Sequence, residues 1–122
     1  MKVFIIDDSI VVSKRLKSML EGIENLDIVG DAQNAVEALE KIKTNKPDLV
    51  ISDLRMPGGS GFEVLDKLKK EFPSIVVIIL TNYPEPHYEK KCIELGANYF
   101  LDKSNDFEKV VEIITQMMKS ES

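Results

Sequence analysis

The sequence predicts an α/β fold: a doubly wound parallel sheet of five strands with helices on both faces. Five short apolar runs are separated by longer amphipathic stretches along the 122 residues. Several of the runs are continuous and rich in β-branched residues, which is typical of strands that are covered on both faces. The length suits one domain, so we expect residues 1–122 to fold as a single unit.

The predicted strands are the five apolar runs. They are Val3–Ile6, Leu26–Val29, Leu49–Ile51, Ile75–Leu80 and Ala97–Leu101. Because strands and helices alternate throughout, the connections are βαβ units, which are almost always right-handed. This leaves few arrangements besides the flavodoxin-like strand order 2-1-3-4-5.

The stretches between the runs have apolar residues at helical spacing. The last stretch has the clearest pattern, with Phe107, Val110, Val111, Ile114, Met117 and Met118 on one face. Ser9 and Ser60 are predicted N-caps of the first and third helices, and Asn105 is the predicted N-cap of the fifth.

Composition excludes several classes of protein. The chain has one Cys and one His, so it has no internal disulfide and no Cys/His zinc site. Asp7 and Asp8 interrupt the only apolar stretch near the N-terminus, which argues against a signal peptide. No apolar run approaches the roughly 20 residues of a membrane span. The net charge of −5 disfavours nonspecific attraction to nucleic acid and anionic lipid. The single Cys and the absence of a signal-peptide pattern suit a reducing cytosol, so we expect a cytoplasmic protein.

Polar side chains follow four of the five predicted strands, where parallel strands meet at one edge of the sheet. They are Asp7 and Asp8 after the first strand, Asp53 after the third, Thr81 and Asn82 after the fourth, and Asp102 and Lys103 after the fifth. Any one of these residues, taken alone, is explained as a turn former or a surface residue. Their joint placement predicts a site.

Crowded carboxylates repel one another unless a cation compensates them. A hard divalent ion such as Mg²⁺ or Mn²⁺ has the required oxygen preference, and Lys103 neutralises only part of the cluster. Metal and ammonium groups together are typical of phosphoryl transfer, in which a carboxylate can serve as the nucleophile. The cluster therefore predicts a phosphoryl-transfer site.

Four segments of the sequence resemble the receiver domains of bacterial two-component response regulators. They are FIIDDS (4–9), PDLVISDLRMPGGSG (47–61), IILT (78–81) and GANYFLDK (96–103). The resemblance covers essentially the whole chain, and the second segment is the most specific.

The resemblance implies roles for individual residues. Asp53 corresponds to the phosphoacceptor, Asp8 to the acidic metal ligand, and Asp7 to its neighbour that contacts the ion through water. The backbone carbonyl of Arg55 corresponds to a further metal ligand. Lys103 corresponds to the lysine that pairs with the phosphoryl group.

A switch is also implied. Thr81 corresponds to the hydroxyl that moves toward the phosphoryl group, and Phe100 to the aromatic residue that turns inward with it. The expected output surface is the face formed by the fourth helix, fifth strand and fifth helix. Expected partners are a sensor histidine kinase or phosphotransfer protein, a downstream protein target, and a second copy bound through the same face.

Four positions depart from the commonest family pattern. Asn82 replaces a smaller residue beside the phosphoryl group, and Arg55 places a long cation two residues after Asp53. Ser104 stands where many members have a cis proline, and Phe100 lacks the hydroxyl of the frequent Tyr. We hypothesise that Arg55 and Asn82 set the lifetime of the aspartyl phosphate.

Other functions fit less well. A haloacid-dehalogenase-type phosphohydrolase requires a second Asp where this chain has Arg55, and a flavodoxin requires a Thr/Ser/Gly-rich loop where it has Asp7-Asp8-Ser9. A receiver that never takes phosphate is disfavoured because the acidic set, Thr81 and Lys103 are present. We expect a switch that catalyses chemistry on itself, not a metabolic enzyme.

Two forms of output stay open. One is a stand-alone regulator, which we favour because Met1 leads directly into the first predicted strand. The other is the receiver part of a longer DNA-binding transcriptional regulator.

Overall fold

The computed structural model describes residues 1–56 and 59–121. Five strands alternate with five helices: β1 (Lys2–Ile6), α1 (Ile10–Glu21), β2 (Asp27–Ala32), α2 (Ala35–Asn45), β3 (Leu49–Ser52), α3 (Gly61–Glu71), β4 (Val76–Thr81), α4 (Pro86–Glu94), β5 (Tyr99–Asp102) and α5 (Lys109–Glu121). Between β3 and α3, Arg55–Met56 and Gly59–Ser60 pair antiparallel as a short hairpin. Residues 57 and 58, part of the segment 47–61 quoted above, lie outside the described residues.

The five long strands form one parallel sheet in the order β2-β1-β3-β4-β5. This confirms the predicted flavodoxin-like topology. It also leaves β2 and β5 as the two edge strands of that sheet.

Side chains alternate across the sheet and divide the core in two. In β1, Phe4 and Ile6 pack into a cluster with α2, α3 and α4, whereas Val3 and Ile5 pack into a second cluster with α1 and α5. The central strand β3 is buried along its whole length. The continuous apolar runs of the sequence follow from this two-sided burial.

Two of the three predicted caps are confirmed. Ser9 Oγ accepts from the amide of Val12, and Ser60 Oγ accepts from the amide of Glu63, each at 3.3 Å. The prediction for the fifth helix is wrong, because α5 begins only at Lys109.

The longest of the described helices, α5, has 13 residues. Within residues 1–56 and 59–121, none combines the length and apolar character that crossing a bilayer requires.

Candidate functional site

The backbone of the sheet positions the polar residues that follow its strands. The amides of Asp7 and Asp53 each donate to a carbonyl oxygen of the adjacent strand at 3.0 Å, and the amide of Lys103 donates to Thr81 O at 2.9 Å. These bonds continue the ladder just beyond the regular strands. Three side chains from three strands are thereby brought to one edge of the sheet.

Lys103 joins two buried carboxylates. Its Nζ lies 2.7 Å from Asp7 Oδ2 and 2.8 Å from Asp53 Oδ2. The three residues are only 8%, 3% and 7% exposed, respectively. The second oxygen of each carboxylate accepts a backbone amide: Asp53 Oδ1 from Leu54 at 2.7 Å, and Asp7 Oδ1 from Ser9 at 2.8 Å. Both carboxylates are therefore held in fixed orientations.

Burial and charge act in opposite directions on these groups. Burial raises the pKa of Asp7, and the hydrogen bonds from Lys103 and Ser9 offset this rise only in part; the neighbouring Asp53 adds to it. For Lys103, burial alone lowers the pKa, but hydrogen bonds to Asp53 and Asp7 outweigh it, and the net effect is a raised pKa. The ammonium form of Lys103 is thus stabilised, whereas ionised Asp7 is disfavoured.

The donor set fits a hard divalent cation. One carboxylate oxygen from each of Asp7, Asp8 and Asp53 lies within 4.8 Å of the others. Asp8 is exposed, so the cluster is open to solvent on one side. When all three carboxylates are ionised, three negative charges face the single positive charge of Lys103. The remaining two negative charges and the all-oxygen ligands match Mg²⁺ or Mn²⁺.

The two predicted switch residues lie on neighbouring strands. Thr81 is fully buried at the end of β4, and its Oγ1 accepts a hydrogen bond from the amide of Tyr83 at 3.0 Å. Phe100 on β5 is half-buried and packs against the cluster formed with α2, α3 and α4. Asn82 is exposed beside Thr81.

Arg55 contacts two tyrosines that the sequence analysis did not single out. Its guanidinium carbon lies 3.9 Å from the centre of the Tyr83 ring, and its Nη2 donates to Tyr88 Oη at 3.0 Å. The hydrogen bond to Tyr88 is the main cause of a raised Arg55 pKa. No local pattern could have indicated these contacts, since Tyr88 lies 33 positions further along the chain.

Gly61 is a second residue that was missed. Its amide donates to Leu54 O at 2.7 Å, and a Cβ at this position would lie only 2.2 Å from Asp53 O. The backbone after Asp53 therefore packs directly on the start of α3. A Gly immediately after the cap Ser60 was the available signal in the sequence.

Comparison with known proteins identifies the family. The family model for the response regulator receiver domain matches residues 3–115. The chain belongs to this family. Phosphorylation and Mg²⁺ binding are typical of receiver domains.

Two curated relatives are longer than this chain. It is 40% identical to protein-glutamate methylesterase/protein-glutamine glutaminase 1 of Carboxydothermus hydrogenoformans, covering 97% of this chain and 35% of that protein. It is 31% identical to the response regulator protein VraR of Staphylococcus saprophyticus, covering 99% and 58%. The chain thus spans between about a third and 58% of these two relatives.

A solved structure confirms the fold. The receiver domain of the response regulator NarL from Mycobacterium tuberculosis superposes with a TM-score of 0.87 at 26% identity. The match covers 97% of this chain and 95% of that one.

Proposed function

We propose that this receiver domain takes a phosphoryl group onto Asp53 and acts as a phosphorylation-dependent switch. The observation that carries the proposal is the buried bridge from Lys103 to Asp53 and Asp7, with Asp8 completing the acidic set. Structural ion pairs also occur at strand ends, but a structural pair does not need three converging carboxylates. An excess of buried negative charge is costly unless a cation is used.

The proposed reaction is a displacement at phosphorus. A carboxylate oxygen of Asp53 forms a bond to the phosphorus atom of a phosphohistidine, and the phosphorus–nitrogen bond breaks. The electron pair stays on the imidazole nitrogen, which is then protonated. In the return step water attacks the phosphorus atom and Asp53 leaves as a carboxylate. Lys103, already at Asp53, is placed to balance charge on the phosphoryl oxygens.

The proposed metal ligands are Asp8, Asp53 and the backbone carbonyl of Arg55, with Asp7 contacting the ion through water. Bound Mg²⁺ or Mn²⁺ supplies neutralisation of the phosphoryl oxygens. Asp7 would also help to hold Lys103 in place, since its Oδ2 already accepts from that ammonium. The raised pKa of Asp7 is consistent with a cluster that is under-compensated without a cation.

The proposed switch couples Thr81 to Phe100. Thr81 Oγ1 accepts from the amide of Tyr83, a bond that weakens if the hydroxyl turns toward a phosphoryl group on Asp53. Phe100 would then turn inward beside β4. The output surface is the face of α4, β5 and α5, where Ile93 and Tyr99 are exposed by 50% and 38%. A homodimer through this face is one form of output.

We propose a sensor histidine kinase or phosphotransfer protein as the phosphoryl donor, and a downstream protein as the target. The activity is chemistry on the chain itself, in contrast to the methylesterase named among the relatives. A second candidate is that this receiver regulates an attached DNA-binding domain. The similarity of this chain to a DNA-binding response regulator of the LuxR family from Staphylococcus aureus favours that candidate.

The decisive experiment measures intact mass after incubation with acetyl phosphate, with and without Mg²⁺. We expect the wild type to gain one phosphoryl group only when Mg²⁺ is present. Asp53→Asn should gain none, because the amide is a poor nucleophile. Asp66→Asn is the matched control, since Asp66 pairs with Lys70 on α3 and lies outside the cluster.

No added mass in the wild type, together with no binding of beryllofluoride, would overturn the proposal. Equal phosphorylation of Asp53→Asn would contradict the assigned acceptor. Metal-independent phosphorylation would contradict the assigned cation.

A further inference from the structure

Lys103 is followed directly by Ser104, so no proline restricts the backbone where the chain leaves β5. The described residues contain no cis peptide bond. Even so, the Lys103 ammonium lies within hydrogen-bond distance of both Asp7 and Asp53. Some other feature must fix the direction in which the chain leaves β5.

The first such feature is at the free edge of the sheet. β5 is an edge strand, with β4 as its one neighbour in the sheet. The amide of Lys103 points toward β4 and donates to Thr81 O. Successive amides of a strand point to opposite sides, so the amide of Asp102 points away from the sheet. It donates to Asp106 Oδ2 at 3.0 Å. A side chain thus takes the place of a neighbouring strand.

The second feature is a hydrogen bond in the reverse sense between the same two residues, Asp106 and Asp102. The amide of Asp106 donates to Asp102 O at 2.8 Å, which makes a single helical turn from 102 to 106. The Asp102 carboxylate accepts from the amide of Ser104 and from Asn105 Nδ2, each at 2.9 Å. These bonds join residues on both sides of Lys103 in the sequence. They also explain why Asn105 does not cap α5, because its side chain already donates to Asp102.

We infer that Asp106 is a positioning residue for phosphoryl transfer, which holds the Lys103 ammonium at Asp53 by fixing the backbone at Asp102. This inference rests on the proposed function. Lys109 Nζ lies 3.0 Å from the other oxygen of Asp106, but the Lys109 side chain is 59% exposed, so this ion pair adds little to the hold on the carboxylate. The bond to the Asp102 amide is the main cause of a lowered Asp106 pKa, which keeps this acceptor ionised.

The consequence for catalysis follows from geometry. A lysine side chain has four rotatable bonds, so a fixed backbone lowers the entropic cost of holding its ammonium at two carboxylates. Misplacing a group by about 1 Å can cost on the order of a hundredfold in rate. Loss of the Asp106 contact should therefore slow phosphoryl transfer while leaving the metal ligands, which follow β1 and β3, unaffected.

The test compares two substitutions at one position. Asp106→Asn keeps an oxygen that can accept from the Asp102 amide, whereas Asp106→Ala removes it. We expect the maximal rate of phosphorylation by phosphoramidate to fall by about tenfold or more in Asp106→Ala and to stay within about threefold of wild type in Asp106→Asn. Affinity for Mg²⁺, measured by calorimetry, should be unchanged in both.

Lys109→Ala is the control for the ion pair, because it removes the contact with Lys109 and keeps the bond between Asp106 and Asp102. We expect it to phosphorylate like the wild type. Urea denaturation of each variant establishes that it is folded under assay conditions.

Three outcomes would overturn the inference while leaving the proposed function intact: a wild-type rate in Asp106→Ala, an equal loss in Asp106→Asn, or a rate loss accompanied by weaker Mg²⁺ binding. A wild type that is never phosphorylated would overturn both the inference and the proposed function.

Discussion

Gly61 sits where the backbone after Asp53 meets the first turn of α3. A Cβ there would lie 2.2 Å from Asp53 O and 2.7 Å from Leu54 Cα, and both obstacles are backbone atoms that cannot rotate away. We expect Gly61→Ala to lower the free energy of unfolding by about 3 kcal/mol, the upper part of the range for overpacking. It should also slow phosphorylation, because Asp53 must shift. Urea denaturation and the intact-mass assay measure the two effects.

Gly22 is the matched control for that substitution. Nothing lies within 4 Å of a Cβ at this position, and its φ of −77° is one that alanine adopts without strain. Gly22→Ala should raise the free energy of unfolding by about 0.5 kcal/mol, because the unfolded chain loses freedom. Equal free energies of unfolding for the two alanine variants would contradict the prediction that a Cβ at Gly61 destabilises the fold.

At the scale of elements, Arg55 connects the short hairpin after β3 to the loop and helix that follow β4. Its guanidinium lies on the Tyr83 ring and bonds to Tyr88 of α4. The amide of Tyr83 in turn donates to Thr81 Oγ1. A change at the proposed switch hydroxyl therefore acts on the loop after β4, whose Tyr83 contacts Arg55.

This arrangement sharpens the hypothesis that Arg55 and Asn82 set the lifetime of the aspartyl phosphate. We expect Arg55→Ala to accelerate dephosphorylation severalfold, since the hairpin that follows Asp53 loses its contacts with Tyr83 and Tyr88. Asn82→Ala should alter the rate as well, because Asn82 follows the switch hydroxyl. Tyr88→Phe, which removes only the hydrogen bond, should give a smaller change than Arg55→Ala. The decay of phosphorylated protein, followed by intact mass, is the measurement; unchanged rates in Arg55→Ala and Asn82→Ala would refute the hypothesis.

The elements also show what sequence patterns can and cannot predict. Apolar runs located every strand of the main sheet because burial on both faces requires such runs. The predicted ends of the strands were less accurate. β2 extends to Ala32 through Gly30 and Asp31, two residue types that are uncommon in strands. The start of α5 was misplaced because Asn105 has cap chemistry, yet its side chain bonds to Asp102. Cap residues have several local partners available, and tertiary context decides among them.

At the scale of the whole molecule, the topology explains why the cluster was predictable. Parallel strands place their carboxyl ends at one edge, so residues far apart in sequence were expected to meet there. At that edge the Lys103 ammonium contacts both Asp7 and Asp53. The contacts of Arg55 and Asp106 were not predictable, because they depend on how loops pack and have no periodic signal. The roles assigned to the clustered residues stay predictions until phosphorylation is measured.

The stability of the entire domain should depend on the charge of Asp7. Because burial raises the pKa of this carboxyl above its usual 3.8, its ionisation disfavours the folded state. Below 3.8 Asp7 is protonated whether folded or unfolded, and the penalty is absent; it develops as pH rises from that value through the raised folded-state pKa. Asp7→Asn removes the charge at every pH. Without Mg²⁺, we therefore expect its free energy of unfolding, relative to wild type, to increase with pH across that interval and then level off.

Saturating Mg²⁺ should stabilise the wild type more than the variant, since the ion binds the folded acidic set. Urea denaturation at a series of pH values, with Mg²⁺ and with a chelator, measures both effects. A difference that is constant with pH would show that the Asp7 carboxylate is fully compensated by Lys103 alone.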